Sequence, residues 1–327
     1  MCIDSWRYKS YVATTTAFTR GVRAGQGQMP DTTEASALPA IVTWFILNII
    51  IGNLNGWILR HGFTYPVLLT VVHMICCWVL AGVSLLTCMH PGSAARPVNR
   101  NAMRKVRILS LAFCASVASG NIALNYIYVS FAQMVTAAGP LFTIGLMYAM
   151  TGKRYSRGAY ASMVPMCGGV MMCTAGELNF HILGFLAVVA ATLLRGVKSI
   201  IQGRLLTNPE DKFDSLTLLY HMSGCSILPL GVYVALFEHA ALHDPRLALG
   251  GPGAAGRWGM VWLSGFVAFF LNLCNFVVTK RTSAVTLQVL GNVKVVISIG
   301  VSLLIFGNPI SNFGAAGCVI TLAGVYA

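Results

Sequence analysis

Charge is scarce in this chain, and acidic charge is the scarcest. Only 9% of its 327 residues are Asp, Glu, Lys or Arg. The nine acids (Asp4, Asp31, Glu34, Glu177, Glu210, Asp211, Asp214, Glu238 and Asp244) all fall in tails, connections or at the edges of apolar runs. A soluble chain carries roughly 25% charged residues, so a soluble globular domain is excluded. Catalytic signatures are equally thin: there is no HExxH, no GxSxG, no Walker A loop and no acidic metal cluster. An enzyme working at a membrane needs a carboxylate base or metal ligands near the membrane face. Neither an enzyme nor a cofactor is expected. The ten cysteines lie mostly inside apolar runs without zinc or redox spacing, which argues against a disulfide framework and for small buried hydrophobes.

What remains is apolar. Hydrophobic residues make up 56% of the chain and the mean hydropathy is +0.72. Ten segments read as membrane spans: 38–60, 66–88, 108–128, 131–151, 158–176, 182–203, 215–238, 258–279, 284–306 and 309–327. The expectation is an all-α polytopic membrane protein, with no soluble domain between spans. The last run stops at Ala327 without a polar tail, as a shortened final helix would.

The net charge of +13 is distributed by topology rather than gathered for nucleic acid. With the N-terminus inside, inner segments hold 16 cations, whereas the outer connections hold Arg60, Arg246 and Arg257. This is the positive-inside pattern, and it predicts a cytosolic N-terminus.

Three cations remain, Arg195, Lys198 and Lys294, and all lie within spans, where no acid accompanies them. Each charge at mid-bilayer costs at least about 2.5–3.5 kcal/mol on insertion scales. Lys294 is some 15 Å from either face, and a lysine stem of about 6 Å cannot snorkel that far. Arg195, Lys198, Ser199 and Gln202 are spaced i, i+3, i+4, i+7 and share a helix face; Gly291, Lys294, Ser298 and Ser302 form a second stripe. Two such faces with cations at one depth predict a shared cavity for an anion, and phosphate suits Arg and Lys best. An all-cationic pocket is costly to occlude when empty, which predicts obligatory exchange of one phosphorylated solute for another. Tyr126, Tyr128 and Tyr220 are candidates to stack on a base, and Asn48, Asn53, Asn55, Asn121, Asn125, Asn272 and Asn275 to line the cavity or join helices.

Ten spans divide into halves of five, and an odd count inverts the second half. A faint echo at an offset of 155 accompanies this: Gly152, Ser156, Gly169 and Val170 recur as Gly307, Ser311, Gly324 and Val325. The domain division expected is a tail at 1–37, a first five-helix repeat at 38–176 and a second at 182–327.

The stretches NLNGWILRHGFTYPVLLTVVHM (53–74), NYIYVSFAQMVTAAGP (125–140), LRGVKSIIQGRLL (194–206), DSLTLLYHMS (214–223) and TSAVTLQVLGNVKVVISIGVSLLIFGNPIS (282–311) carry a resemblance. From about residue 40 to the end, the chain resembles the triose-phosphate translocator and nucleotide-sugar transporter family of the drug/metabolite transporter superfamily. The resemblance implies ten transmembrane helices in two inverted five-helix repeats, alternating access and antiport. The lysine motif of nucleotide-sugar members falls on Leu290-Gly291-Asn292-Val293-Lys294, which adds Asn292 to the substrate-binding set and gives Lys294 the phosphate. Sugar-phosphate translocators differ: where they have further cations, this chain has Val295 and Thr136. The implied activity is therefore exchange of a nucleotide sugar for a nucleoside monophosphate, the alternative being sugar phosphate/phosphate exchange at a plastid envelope. The resemblance points to a Golgi membrane. Residues 1–37 read as a basic tail or a short targeting segment. The expected partners are a small phosphorylated substrate and the lipid bilayer, with no nucleic acid and with a homodimer left open.

Overall fold

The computed structural model describes residues 32–88, 100–127, 132, 135–152, 154–174, 181–208, 211, 213–247, 253–306 and 312–326. Tyr128, most of the 1–37 segment, Glu177, Gly307 and Ser311 lie outside these described residues, as do the side chains of Ser298, Ser302 and Val325. Ten α-helices can be followed through the described residues: α1 (Thr32–Arg60), α2 (Pro66–Cys88), α3 (Arg100–Leu124), α4 (Gly139–Thr151), α5 (Arg157–Thr174), α6 (Ile182–Thr207), α7 (Ser215–Phe237), α8 (Ala254–Arg281), α9 (Ala284–Phe306) and α10 (Asn312–Tyr326). A single 3₁₀ turn, His239–Leu242, follows α7.

Six of them, α1, α2, α3, α6, α7 and α8, are long and apolar enough to cross a membrane, and Ala284–Ile297 of α9 is a shorter apolar stretch. The surface agrees with that reading. Large apolar side chains such as Leu86, Val164, Leu228 and Val319 face outward. Polar ones, including Thr143, Thr192, Gln202, Ser223 and Ser264, are buried. Many buried hydroxyls bond back to the carbonyl four residues earlier, as Thr143 does to Gly139 and Thr192 to Val188, so these groups are satisfied within their own helix.

Local chemistry sets the ends. Gly62, at φ 98°, turns the chain after α1, where the Phe63 N–H reaches the Ile58 carbonyl at 3.3 Å. Pro66 then opens α2. Asp214 caps α7, accepting the Leu216 N–H at 3.2 Å. The α3 helix starts at Arg100, eight residues before its expected apolar run, because the basic segment winds on as helix and Lys105 pairs with Asp211 beyond α6.

The most extensive helix contacts are α5·α10, α3·α6, α2·α7, α1·α8 and α2·α8, followed by α3·α7. Small residues set several of these distances. A β-carbon on Gly169 of α5 would stand 2.5 Å from the Thr321 nitrogen and 2.6 Å from the Gly317 oxygen of α10. One on Gly324 of α10 would stand 2.6 Å from the Met166 nitrogen of α5.

The two ends of the bundle are tied differently. At one end the Glu238 carboxylate, at the close of α7, accepts the Val67 and Leu68 N–H groups at 3.0 and 2.9 Å and so caps α2 from across the bundle. Beside it the Tyr65 hydroxyl donates to Asp244 at 3.0 Å, and Arg257 donates to the Arg246 carbonyl at 2.6 Å. At the other end Lys105 pairs with Asp211, Lys280 with Asp214 at 3.6 Å, and Arg204 of α6 donates to the Met150 carbonyl of α4 at 3.1 Å.

Candidate functional site

Within the bundle lies a cavity of about 450 Å³ between α3, α6 and the approach to α4. The α3 wall supplies Phe113, Ser116, Val117, Gly120, Asn121 and Leu124, the α6 wall Val188, Ala191, Arg195 and Lys198, and Ala132 and Thr136 complete it. The two cations lie toward the end of the lining marked by Phe113, whose ring Lys198 faces. From there it runs toward the helix ends that carry Leu124 and Ile182.

Arg195 is surrounded by protein and yet keeps an exposed side chain, because the surface it exposes faces the cavity. It makes no hydrogen bond among the described residues. Lys198 is held by rings: its Nζ stands 5.7 Å from the centre of Phe113 and 6.0 Å from that of Phe276. Such contacts steady an ammonium by about 0.5–2 kcal/mol without neutralising it. Lys294, near the middle of α9, donates to the Asn48 side-chain oxygen of α1 at 3.3 Å. Arg195 lies within electrostatic range of both Lys198 and Lys294. None of the three cations has a carboxylate partner among the described residues.

The other predicted site residues are placed elsewhere. Gln202, fully buried, donates to the Asn275 side-chain oxygen at 3.0 Å and to the Thr279 hydroxyl at 2.7 Å, both on α8, and leaves its own oxygen unbonded. Ser199 meets Gln288 of α9 at 3.4 Å. The polar face of α6 is therefore divided, with Arg195 and Lys198 in the cavity and Ser199 and Gln202 against neighbouring helices. Asn292 is buried and donates to the Ala137 carbonyl at 2.9 Å, which places it behind the wall that holds Thr136. Tyr126 stacks on His181 at 4.8 Å at the end of α3, and Tyr220 on Trp78 at 6.0 Å between α7 and α2. Of the asparagines, Asn121 lines the cavity and Asn48 reaches Lys294, while Asn55 accepts from Ser264 in a buried network that includes His73. Phe113 and Ser116 are cavity residues that sequence reasoning missed, since a lone Phe or Ser in a span carries no distinguishing pattern.

Outward-facing apolar side chains on helices long enough to cross a bilayer mark a multi-pass membrane protein, and its cavity is lined by two cations. The chain belongs to the Triose-phosphate Transporter family, whose sequence profile matches residues 36–327. It is 39% identical over 288 residues to UDP-uronic acid transporter 1 of Arabidopsis thaliana, covering 88% of this chain and 92% of that protein. It is 38% identical over 289 residues to a probable sugar phosphate/phosphate translocator of the same plant, covering 88% of this chain and 80% of that one. A solved crystal structure shares the fold, with a TM-score of 0.65 at 17% identity over 89% of this chain and 95% of its own. The protein is accordingly a membrane transporter of phosphorylated solutes and not an enzyme.

Proposed function

We propose that this transporter exchanges a nucleotide sugar for a nucleoside monophosphate. The polarity of the cavity carries the reading. Its cations are confined to one end, and the remaining wall is apolar with scattered amide and hydroxyl groups from Asn121, Ser116 and Thr136. That arrangement matches a solute with phosphate at one end and a large, hydrogen-bonding, neutral body at the other. A triose phosphate would fill little of about 450 Å³. Lys294, Arg195 and Lys198 take the phosphates; Asn292, Gln202, Tyr126 and Tyr220 act around the site as other helices move against it. Because the cations have no carboxylate partner among the described residues, closing the unloaded site is costly, and loading by either solute removes that cost. Exchange follows.

Movement is by alternating access of two inverted five-helix repeats, 38–176 and 182–327. The contact pattern supports this. Advancing every helix by five turns α3·α6 into α1·α8 and α2·α8 into α3·α7, and leaves α5·α10 and α2·α7 unchanged. The reciprocal close approaches of Gly169 and Gly324 obey the same relation. The cation distribution supports a cytosolic N-terminus, and a nucleotide-sugar cargo suits a Golgi membrane.

The test is uptake of labelled UDP-glucuronate into liposomes containing the purified chain. Preloading with UMP should stimulate entry at least tenfold over unloaded vesicles. Entry of triose phosphate driven only by internal phosphate would replace this reading with sugar phosphate/phosphate exchange, the activity for which the 38%-identical relative is named.

A further inference from the structure

Lys294 does not line the cavity that Arg195 and Lys198 share; its hydrogen-bond partner is Asn48. The Asn48 amide is not free to turn. Its nitrogen donates to the Trp44 carbonyl one helical turn back at 2.7 Å, which aims its oxygen at the ammonium. Trp44 is itself buried, anchored in a cluster with Ile41, Val278 and Leu287. A fixed acceptor on α1 therefore holds a flexible cation from α9.

The acceptor is neutral, and that decides what it can do. A carboxylate at this position would be a permanent counter-ion, and a phosphate would have to displace it. An amide oxygen satisfies one N–H of the ammonium and leaves the charge uncompensated. We infer that Asn48 is a positioning residue that parks Lys294 beside the empty site, ready to transfer to an incoming phosphate, and that its lack of charge keeps the carrier dependent on cargo. The inference rests on the exchange reading above and goes beyond it by assigning the coupling to one side chain of α1.

Two variants of the same residue separate charge from packing. Asn48→Asp supplies the missing counter-charge. It should raise the half-saturation concentration for UDP-glucuronate roughly tenfold or more, the scale on which an opposite charge at hydrogen-bond distance acts. It should also raise uptake into unloaded vesicles relative to UMP-loaded ones, since the empty site can now close. Asn48→Ala removes the parking place without adding charge; unloaded uptake should stay at the wild-type ratio. Equal behaviour of the two variants, or a half-saturation within about twofold of wild type for Asn48→Asp, overturns the assignment. Failure of the exchange reading shows separately, as wild-type uptake that internal UMP does not stimulate. Asn48 is then judged by the difference in half-saturation between the Asp and Ala variants alone, and equality there overturns it.

Discussion

Replacing Gly169 by alanine adds one methyl group where α5 and α10 meet backbone to backbone. The new β-carbon would lie 2.5 Å from the Thr321 nitrogen and hydroxyl and 2.6 Å from the Gly317 oxygen, against 3.4–4 Å for ordinary contact. Two of those three atoms are backbone and cannot rotate away, so α5 and α10 must separate by about 1 Å. A gap of that size forfeits roughly a quarter to a half of each dispersion contact along the crossing. Overpacking of this kind costs about 1–3 kcal/mol. Gly324→Ala meets Met166 backbone at 2.6–2.9 Å and demands the same separation. The double variant should therefore lose clearly less than the sum of the singles, because one displacement serves both methyl groups. Gly168 is an internal control, having nothing within 4 Å of its hypothetical β-carbon. Gly168→Ala should be neutral or slightly stabilising through helix propensity. Thermal unfolding of purified protein in detergent, followed by tryptophan fluorescence, measures all four. Each kcal/mol should lower the midpoint by on the order of 2–4 °C. Equal midpoints for the Gly168 and Gly169 variants, or strict additivity in the double, would refute the packing argument.

Lys294→Met should insert and purify like wild type yet lose at least tenfold in exchange rate, and retained exchange kinetics would remove Lys294 from the site. Thr136→Lys adds a third cation to the cavity wall and should shift preference toward small sugar phosphates, read as about tenfold stronger competition by triose phosphate against UDP-glucuronate uptake. At the α7–α8 connection, the backbone N–H of Arg246 first, then the Tyr65 hydroxyl and the charges of Arg246 and Arg257, hold the Asp244 carboxyl below its ordinary range. A group depressed in the folded state stabilises above its unfolded pKa and loses that contribution as pH falls. Wild type should therefore lose thermal stability below about pH 4 more steeply than Asp244→Asn, and identical pH profiles would show that the cluster contributes nothing.

Much of the fold was legible because hydropathy is a local property. Each of the ten expected spans overlaps a helix among the described residues, six of them long and apolar enough to cross a membrane, although α4 begins only at Gly139, eight residues into its expected span; the ends marked by Gly62, Pro66 and Asp214 fall where their backbone chemistry places them. The early start of α3 was not legible, since its basic first turns are supported by Asp211, more than a hundred residues away. The cations were found by their lack of partners, which any sequence displays. Their surroundings were not. The i, i+3, i+4, i+7 face of α6 spans enough arc for the cavity, α8 and α9 to divide it, so Gln202 shares a stripe with Arg195 and none of its environment. Asn48 stood among seven asparagines of equal standing until its oxygen was placed beside an ammonium 246 residues along the chain.

The α5–α10 crossing also offers a fixed mark for watching this carrier work. Gly169 and Gly324 each bring their helix against backbone of the other, so the pair is expected to move as one piece. Val164 on α5 and Val319 on α10 are 62% and 67% exposed, which makes them accessible to spin labels or dyes. A distance measured between them is an internal zero for spectroscopy: broadening there reports the labels and the sample, and broadening between any other pair beyond that baseline reports the carrier.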